Sequence, residues 1–410
     1  MRTHDVVIVG GGPAGAATAW ALARNGVDAL IVDRARFPRP KPCAEYLSPE
    51  ATRILHEMGA LAELERAGVA RLSGMRFHAR NGVTFEGRFA GSHRFRAFAQ
   101  HGLAIRRERL DSTLLDCARA AGASVLEEAA VQDVVRDDQG RAAGVTVRRG
   151  ATTERISARF VVGADGLRSI VARRLGLARR FRWPSRFAFV SHFRGVEGMG
   201  DCGEMHVFDG EYCGLADVGD GITNVAAVVT SAAARGAGGD SEAFLAAWIA
   251  AHPSLAHRFE RAERVSPVLA TGPFGTRARA AYAPRAALVG DAADFYDPFT
   301  GEGIYAALRG AELCAPYIIE SMCAPTHRAH EALEAYDRAR NHEFGGKWRF
   351  ERLVAIAVAQ PSLLNHISRR LRARRDLADL LVGVAGDFVP AREVLNLRFA
   401  FRLLGPAFAA

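Results

Sequence analysis

The sequence of 410 residues predicts an α/β fold: a Rossmann-type domain, an inserted antiparallel β-sheet and a C-terminal helical region. Three observations carry this prediction. An apolar run at 5–9 enters a glycine-rich turn at 10–15, then a helical stretch at 16–24 and a second apolar run at 27–32. Residues 185–230 alternate apolar and polar side chains, as a half-buried sheet does. From residue 327 onward the pattern is helical and rich in arginine.

The first turn has the spacing of a dinucleotide-binding site. Gly10, Gly12 and Gly15 fit G-x-G-x-x-G, and Asp33 closes the second strand. In this pattern the first glycine permits the tight turn and the second lets a pyrophosphate approach the backbone. The helix start offers free N–H groups to the phosphates, and the acid can accept ribose hydroxyls. FAD and NAD(P) both use this turn, so it leaves the choice of dinucleotide open.

Two later strand patterns also end in glycine and aspartate. They are 160–166, ending at Asp165 and Gly166, and 286–291, ending at Gly290 and Asp291. In a parallel sheet the carboxyl ends of the strands share one edge, so three such ends suit one long cofactor. The segment 297–304 then opens a helix whose N–H groups could stabilise negative charge. Other predicted elements are a helix at 49–67, short strands at 74–100, a helix at 110–121, strands at 124–135 and 141–149, and helices at 241–251 and 304–317.

Composition narrows the possible classes of protein. The net charge of +9 comes from arginines spread through the chain, which favours a compositional bias over nucleic-acid binding. Six cysteines without a C-x-x-C pair predict reduced thiols, no structural zinc and a cytoplasmic protein. The start lacks a signal-peptide pattern, and no apolar run approaches the roughly twenty residues of a membrane span.

Three ordered motifs give the chain a family resemblance. They are the first glycine turn, Gly163-Ala164-Asp165-Gly166-Leu167-Arg168-Ser169, and Gly290-Asp291-Ala292-Ala293. With them the chain resembles the FAD oxidoreductases of the para-hydroxybenzoate hydroxylase fold, which have a glutathione reductase-like FAD-binding domain. The segments 37–43 and 297–304 look most like the geranylgeranyl reductase branch.

The resemblance implies FAD, with a reductant such as NAD(P)H that docks without a Rossmann domain of its own. It places FAD along Asp33, Arg107, Asp165 and Asp291, with Val131 beside the adenine. The full set of expected FAD-binding residues is Gly10, Gly12, Pro13, Ala14, Gly15, Asp33, Arg34, Arg39, Cys43, Arg107, Val131, Asp165, Gly166, Gly290, Asp291, Pro298, Gly301, Gly303 and Ile304.

The predicted domain organisation is discontinuous. The FAD-binding domain takes residues 1–73, 101–182 and 275–330. A substrate-binding β-sheet domain takes 74–100 and 183–274, and a C-terminal helical region takes 331–410.

The substrate side offers candidate catalytic residues only. Cys43 could lie over the flavin ring or simply be a small buried hydrophobic residue. Glu45 and Tyr46 could orient a substrate hydroxyl, although a solvated loop pair is the simpler interpretation. Tyr212 and His206 could do so from the second sheet, or be packed strand residues. The sequence therefore names Cys43, Glu45 and Tyr212 as candidates and requires no metal.

The reaction is predicted from departures from the branch. After Cys43 the chain reads Ala44-Glu45-Tyr46 where reductases usually continue with glycines, and the tryptophan signature of halogenases is absent. The prediction is an NAD(P)H-using monooxygenase of a hydrophobic aromatic or polyketide-like compound. The alternatives are reduction of isoprenoid double bonds, halogenation, and a flavin-binding protein without turnover.

The C-terminal segments 367–381 and 394–408 mix arginines with leucines and phenylalanines. Such a pattern fits packing on the protein's own domain, with arginines in water. It also fits a helix lying on a membrane surface, so peripheral membrane contact is the alternative.

Overall fold

The computed structural model describes residues 3–405 except 92, 182 and 184, and gives the backbone alone at 326 and 327. Its first sheet is built around Thr3–Val9, which pairs in parallel with Thr152–Gly163 on one side and Ala29–Val32 on the other. Ser124–Leu126 and Ala286–Leu288 extend the parallel sheet at either side, and Tyr282–Ala283 closes one edge. Ala142–Arg149 and Ala130–Arg136 add an antiparallel extension. The Rossmann-type α/β prediction is confirmed.

Helices cover this sheet. Pro13–Ala23 starts with proline, whose missing N–H costs nothing at the first helical position, and packs against Gly303–Cys323. The predicted helix at 110–121 begins earlier, at Arg107, because the Arg107 side chain binds Asp111 one turn on. The predicted helix at 49–67 is two, Ala51–Glu57 and Leu61–Arg66, because Gly59 takes a left-handed φ of 80° between them.

The second sheet has the order Glu263–Arg264, Arg186–Arg194, Ile222–Thr230, Tyr212–Asp217, Cys202–Val207, Gly74–His78 and Thr84–Arg88, with Leu269–Thr271 also paired to Arg186–Arg194. It departs from the antiparallel prediction at one pair, since Cys202–Val207 and Gly74–His78 run parallel. Alternate residues face opposite sides. Ala188 and Val190 face the first sheet's ligand edge, while Phe189 and Val225 pack with the helix Ser241–Ala250.

Smaller elements complete the chain. A three-stranded sheet joins Tyr46–Leu47, Gly102–Ala104 and Ala70–Leu72, and Thr276–Arg277 pairs with Asp294–Phe295. The strands of the first sheet lie within 3–163 and 282–288, and those of the second within 74–88 and 186–271. The exact domain boundaries stay a prediction. The remaining helices are Ile170–Arg174, Ser231–Arg235, Pro253–Ala256, Thr326–Ala359, Pro361–Ala373, Arg375–Ala385 and Leu397–Leu404. Among the described helices, none combines the length and hydropathy needed to cross a bilayer.

A buried ionic cluster lies on the face of the second sheet opposite Ala188 and Val190. Glu204 accepts hydrogen bonds from Arg258 at 2.5 Å and from His206 at 3.0 Å, and the His78 ring stacks on His206. Burial alone would raise the pKa of Glu204, but these bonds outweigh it and lower that pKa to about 2. Burial lowers the pKa of His78 to about 4, helped by the charge of His206. His78, Glu204 and His206 have the spacing of metal ligands, but Arg258 already neutralises the shared carboxylate.

We expect Arg258→Met to lower the free energy of unfolding by about 3–5 kcal/mol, because it leaves the Glu204 carboxylate buried without its cation. Urea unfolding measures this, and Arg258→Lys should recover part of the loss. The stability of the wild type should fall with acidification. Between pH 6.5 and about 4, the unfolded chain binds a proton at His78 more readily than the folded protein does. Below pH 4.5, the ordinary pKa of a glutamate, the same holds for Glu204. Equal stability of both variants and the wild type would contradict this role.

Candidate active site

A cavity of about 1070 Å³ lies between the ligand edge of the first sheet and one face of the second. This volume is slightly above the roughly 300–1,000 Å³ that ligand pockets span, which suits a large ligand. Strand ends Val9 and Val32 line it on one side, and Ala188 and Val190 line it on the other. One space therefore adjoins both the nucleotide turn and the apolar sheet face.

The glycines of the first turn serve different purposes. A Cβ at Gly10 would lie 2.5 Å from the Ala164 carbonyl oxygen, and one at Gly15 only 1.8 Å from that of Gly10. Both glycines are therefore required by the fold. A Cβ at Gly12 meets only the ends of Arg39 and Arg107, at 3.6 and 3.8 Å, which is ordinary contact. Its lack of a side chain leaves space for a ligand beside two guanidinium groups.

Cations gather at this turn. Arg107 binds Asp111 through two hydrogen bonds of 2.9 Å, and Arg39 lies 3.1 Å from the same carboxylate. Lys41 is nearby, and burial together with the charge of Arg39 lowers its pKa. One carboxylate offsets part of this positive charge, and the remainder can neutralise a pyrophosphate. Asp111 and Lys41 were not predicted as site residues, although Arg107 and Asp111 have the i,i+4 spacing of a helical ion pair.

The three predicted acids each line the cavity. Asp33 accepts hydrogen bonds from the backbone N–H groups of Gly11 and Ala35, so it also holds the turn. Asp165 accepts from Ile170 N–H at 2.6 Å through one oxygen, and its other oxygen is buried without a partner among the described residues. Burial raises the pKa of Asp291 to about 6, although Lys41 and Arg107 lower it. Orphaned and desolvated acceptors of this kind fit the hydroxyl-rich middle of FAD.

Glu45 links the start of the helix Arg107–Ala120 to the second sheet. Its carboxylate accepts from Arg107 N–H at 2.8 Å and Asn224 Nδ2 at 3.0 Å, and lies 2.7 Å from His192 Nε2. Its φ of 60° is unusual for a residue with a side chain and is held by these contacts. Asn224 also donates to the Cys43 carbonyl, and Cys43 Sγ accepts from Glu45 N–H.

The simpler interpretation of Glu45 and Tyr46 as a solvated pair is wrong, since both side chains are buried. With its oxygens already bonded, Glu45 positions the Cys43 loop, and a role of Glu45 in catalysis stays a prediction. Burial raises the pKa of the Cys43 thiol, although Arg107 opposes this, so burial disfavours the thiolate at the cavity wall.

Tyr212 holds in place the loop that precedes the helix Gly303–Cys323. Its hydroxyl donates to Asp297 at 2.5 Å, and Asp297 also pairs with Arg186 at 2.8 Å. Asp297 in turn accepts from Phe299 N–H and caps the turn Pro298–Thr300. Tyr212 therefore lines the cavity with a hydroxyl that is already engaged. His206 lies on the opposite face of the sheet, in the ionic cluster, so it is a packed strand residue.

The cavity gathers nearly all of the expected FAD-binding residues. Gly15 and Gly290 do not line it but shape the turns beneath it. A Cβ at Gly290, whose φ is 61°, would lie 3.0 Å from Ala14 Cβ. Those that do line it are Gly10, Gly12, Pro13, Ala14, Asp33, Arg34, Arg39, Cys43, Arg107, Val131, Asp165, Gly166, Asp291, Pro298, Gly301, Gly303 and Ile304. Their individual contacts with FAD stay a prediction.

A group of acids near the start of the helix Gly303–Cys323 was not predicted as part of the site. Glu302 is buried, and neither of its oxygens accepts a hydrogen bond from a described residue. Lys347 Nζ is 3.4 Å from Glu302 and pairs closely with Asp387. Burial raises the pKa of Glu302 despite Lys347, and burial with the charge of Glu302 raises that of Glu351 well above its ordinary value. The cavity therefore holds two carboxyl groups whose pKa values are raised above the ordinary glutamate value.

The chain matches known proteins over most of its length. Residues 3–208 match the FAD binding domain family. Menaquinone reductase of Mycolicibacterium smegmatis is 30% identical over 428 aligned positions, covering 99% of this chain and 97% of that protein. Digeranylgeranylglycerophospholipid reductase 2 of Methanopyrus kandleri is 27% identical and covers 96% of each chain. With menaquinone reductase of Mycobacterium tuberculosis the match is 39% identical but spans only 42% of this chain and 40% of that protein.

Solved structures share the fold. A myxobacterial chondrochloren halogenase aligns with a TM-score of 0.77 and 26% identity, over 85% of this chain and 82% of that one. A geranylgeranyl bacteriochlorophyll reductase-like protein from Thermoplasma acidophilum aligns over 100% and 97%, at 21% identity and a TM-score of 0.73, which shows the fold alone. With the family model covering half the chain and a relative of 30% identity aligned over nearly its whole length, the chain belongs to the FAD-dependent oxidoreductases of the FAD binding domain family.

Proposed function

We propose that this protein is an FAD-dependent reductase that saturates a double bond in a hydrophobic, isoprenoid-like substrate, with NAD(P)H or a similar donor as the source of electrons. The observation that carries the proposal is Glu302, a buried carboxyl group of raised pKa at the cavity wall. A reduced double bond gains two hydrogens. FAD, when bound, supplies the electron pair with one of them, and the protein must deliver the other as a proton.

The sheet side of the cavity supports an apolar substrate. Ala188, Val190, Ala226 and Val228 line it with small aliphatic side chains, and Met205 adds a flexible one. Such a surface gains free energy by covering hydrocarbon and offers little to a charged ligand. Small side chains also leave width for a branched chain between the two sheets.

The residues at the other end support FAD. Gly12 would admit the pyrophosphate between Arg39 and Arg107, and Asp33, Asp165 and Asp291 would hold hydroxyl groups along the strand ends. Cys43 and the backbone at Gly301 to Gly303 would border the flavin ring. Glu45 and Tyr212 would keep these two segments in place through the bonds described above.

The names of the relatives also favour reduction. Menaquinone reductase and digeranylgeranylglycerophospholipid reductase 2 both align with nearly the whole chain. We therefore place reduction ahead of the oxygen insertion that the sequence predicts. Monooxygenation of an aromatic or polyketide-like compound stays the second candidate, because Ala44-Glu45-Tyr46 departs from the glycines that reductases usually carry there.

Product analysis with and without oxygen separates the candidates. The FAD-loaded protein is supplied with NAD(P)H and either polyprenyl quinones and lipids or phenolic compounds. We expect product to form without oxygen and to gain two hydrogens by mass, with one deuteron incorporated from heavy water. A product that requires oxygen and contains the label of ¹⁸O₂ would overturn the proposal in favour of monooxygenation.

A further inference from the structure

The C-terminal helix Leu397–Leu404 exposes an apolar face. Leu397 is 90% exposed, Phe401 64% and Leu404 48%, far more than is usual for large apolar side chains. They are spaced at i, i+4 and i+7, so they lie along one side of the helix. A lone exposed apolar residue needs no explanation, but a row of three on one helix face does.

The opposite side holds this helix in place. Phe399 is buried in a cluster with Leu371 and Leu377. Asn396 caps the helix by accepting from Phe399 N–H at 2.9 Å, and Arg370 donates to the Arg402 carbonyl at 2.8 Å. Because the helix is fixed by its inner side, its orientation follows from packing, and the outer row is presented to solvent.

The exposed charges of the C-terminal region have one sign. Within the described residues 352–405, every charged residue that is exposed rather than half-buried or buried is an arginine: Arg352, Arg369, Arg372, Arg375, Arg392 and Arg398. Arg398 lies on the helix Leu397–Leu404 itself, and Arg369 and Arg372 lie on Pro361–Ala373, which packs against it. The acids of this stretch are paired or buried. Asp376 pairs with Arg374 and Arg402, Asp387 with Lys347, and Glu393 lies near Arg94, while Asp379 is buried.

We propose that Leu397, Phe401 and Leu404 insert into the headgroup region of an anionic phospholipid surface, with the neighbouring arginines contacting its phosphates. A row of apolar side chains beside positive charge is what an interfacial helix needs. A second copy of this chain would bring a second arginine-rich surface against the first, and like charges would oppose that pairing. The inference stands apart from the proposed reaction, which a water-dispersed substrate would equally allow.

Vesicle sedimentation of the FAD-loaded full chain tests the proposal. Vesicles are made of phosphatidylcholine alone or with about a third of phosphatidylglycerol. We expect binding to the anionic vesicles only, weakened by about 0.5 M salt because the charges are screened. Leu397→Glu/Phe401→Glu should lower the bound fraction at least about tenfold. Phe98→Glu is the control, since Phe98 is 48% exposed and packs beside His56 instead.

Flavin absorbance and unfolding midpoints of the variants show whether the fold is intact. Equal vesicle binding by the double variant and the wild type would overturn the proposal. So would binding that ignores phosphatidylglycerol. A concentration-dependent dimer in light scattering that the double variant abolishes would reassign the face to a second copy. Loss of vesicle binding with unchanged turnover of dispersed substrate would support the docking surface without bearing on the reaction.

Discussion

Gly12→Val is expected to fold normally and to be purified without FAD. The Cβ of the new side chain has room in the protein itself, because the nearest atoms to it are flexible ends of Arg39 and Arg107. It would occupy the space that a pyrophosphate needs beside those guanidinium groups. We expect FAD affinity to fall by at least about a thousandfold, since losing close backbone and charge-assisted contacts costs several kcal/mol. The ratio of flavin to protein absorbance and titration of the stripped protein with FAD measure it.

Gly15→Val provides the comparison for Gly12→Val. Its side chain would meet the Gly10 carbonyl oxygen, so we expect misfolding rather than a folded protein without cofactor. Circular dichroism and urea unfolding should therefore separate two glycines of a single motif. Full flavin absorbance in Gly12→Val would refute the assignment of the phosphate site.

Glu302→Gln is expected to abolish most turnover while leaving FAD bound. Glutamine keeps the size of the side chain but cannot release a proton to substrate, and general acids contribute about 10²–10⁴-fold to rates. The groups that face Glu302 are Lys347, Tyr46 and Glu351, with Asp387 behind Lys347. Because burial raises the pKa of Glu302, the group stays protonated at a pH where an exposed glutamate is ionised. Wild-type turnover should fall as pH rises through that pKa, and the variant should lack this step.

Infrared spectroscopy tests the protonation of Glu302 independently of turnover. The infrared band of a protonated carboxyl group should be present in the wild type without substrate and reduced in Glu302→Gln. Glu312→Gln is the matched control, because Glu312 lies on the helix that Glu302 precedes but outside the cavity, paired with Arg53 and Arg309. A wild-type pH profile in Glu302→Gln would exclude the carboxyl group as proton donor. The same loss in Glu351→Gln alone would move the role to Glu351.

The sequence predicts the cofactor half of the site better than the substrate half, for a physical reason. Gly10, Gly12 and Gly15 are constrained by backbone geometry over six residues, and Asp165 and Asp291 end strands of one parallel sheet, so local pattern and topology suffice. Glu302, Lys347 and Asp387 meet only because three separate segments pack together. Their burial, which sets their chemistry, has no local signal. The left-handed backbone of Glu45 has none either, because distant partners impose it.

Glu45 links two walls of the cavity. Through one carboxylate the start of the helix Arg107–Ala120 and the strands carrying His192 and Asn224 are tied at a single point. Tyr212 and Arg186 of the same sheet bind a second buried carboxylate, Asp297, in the loop before Gly303–Cys323. The substrate sheet is therefore held to the opposite wall at two places, and charge-assisted hydrogen bonds as well as apolar packing set the width of the cavity.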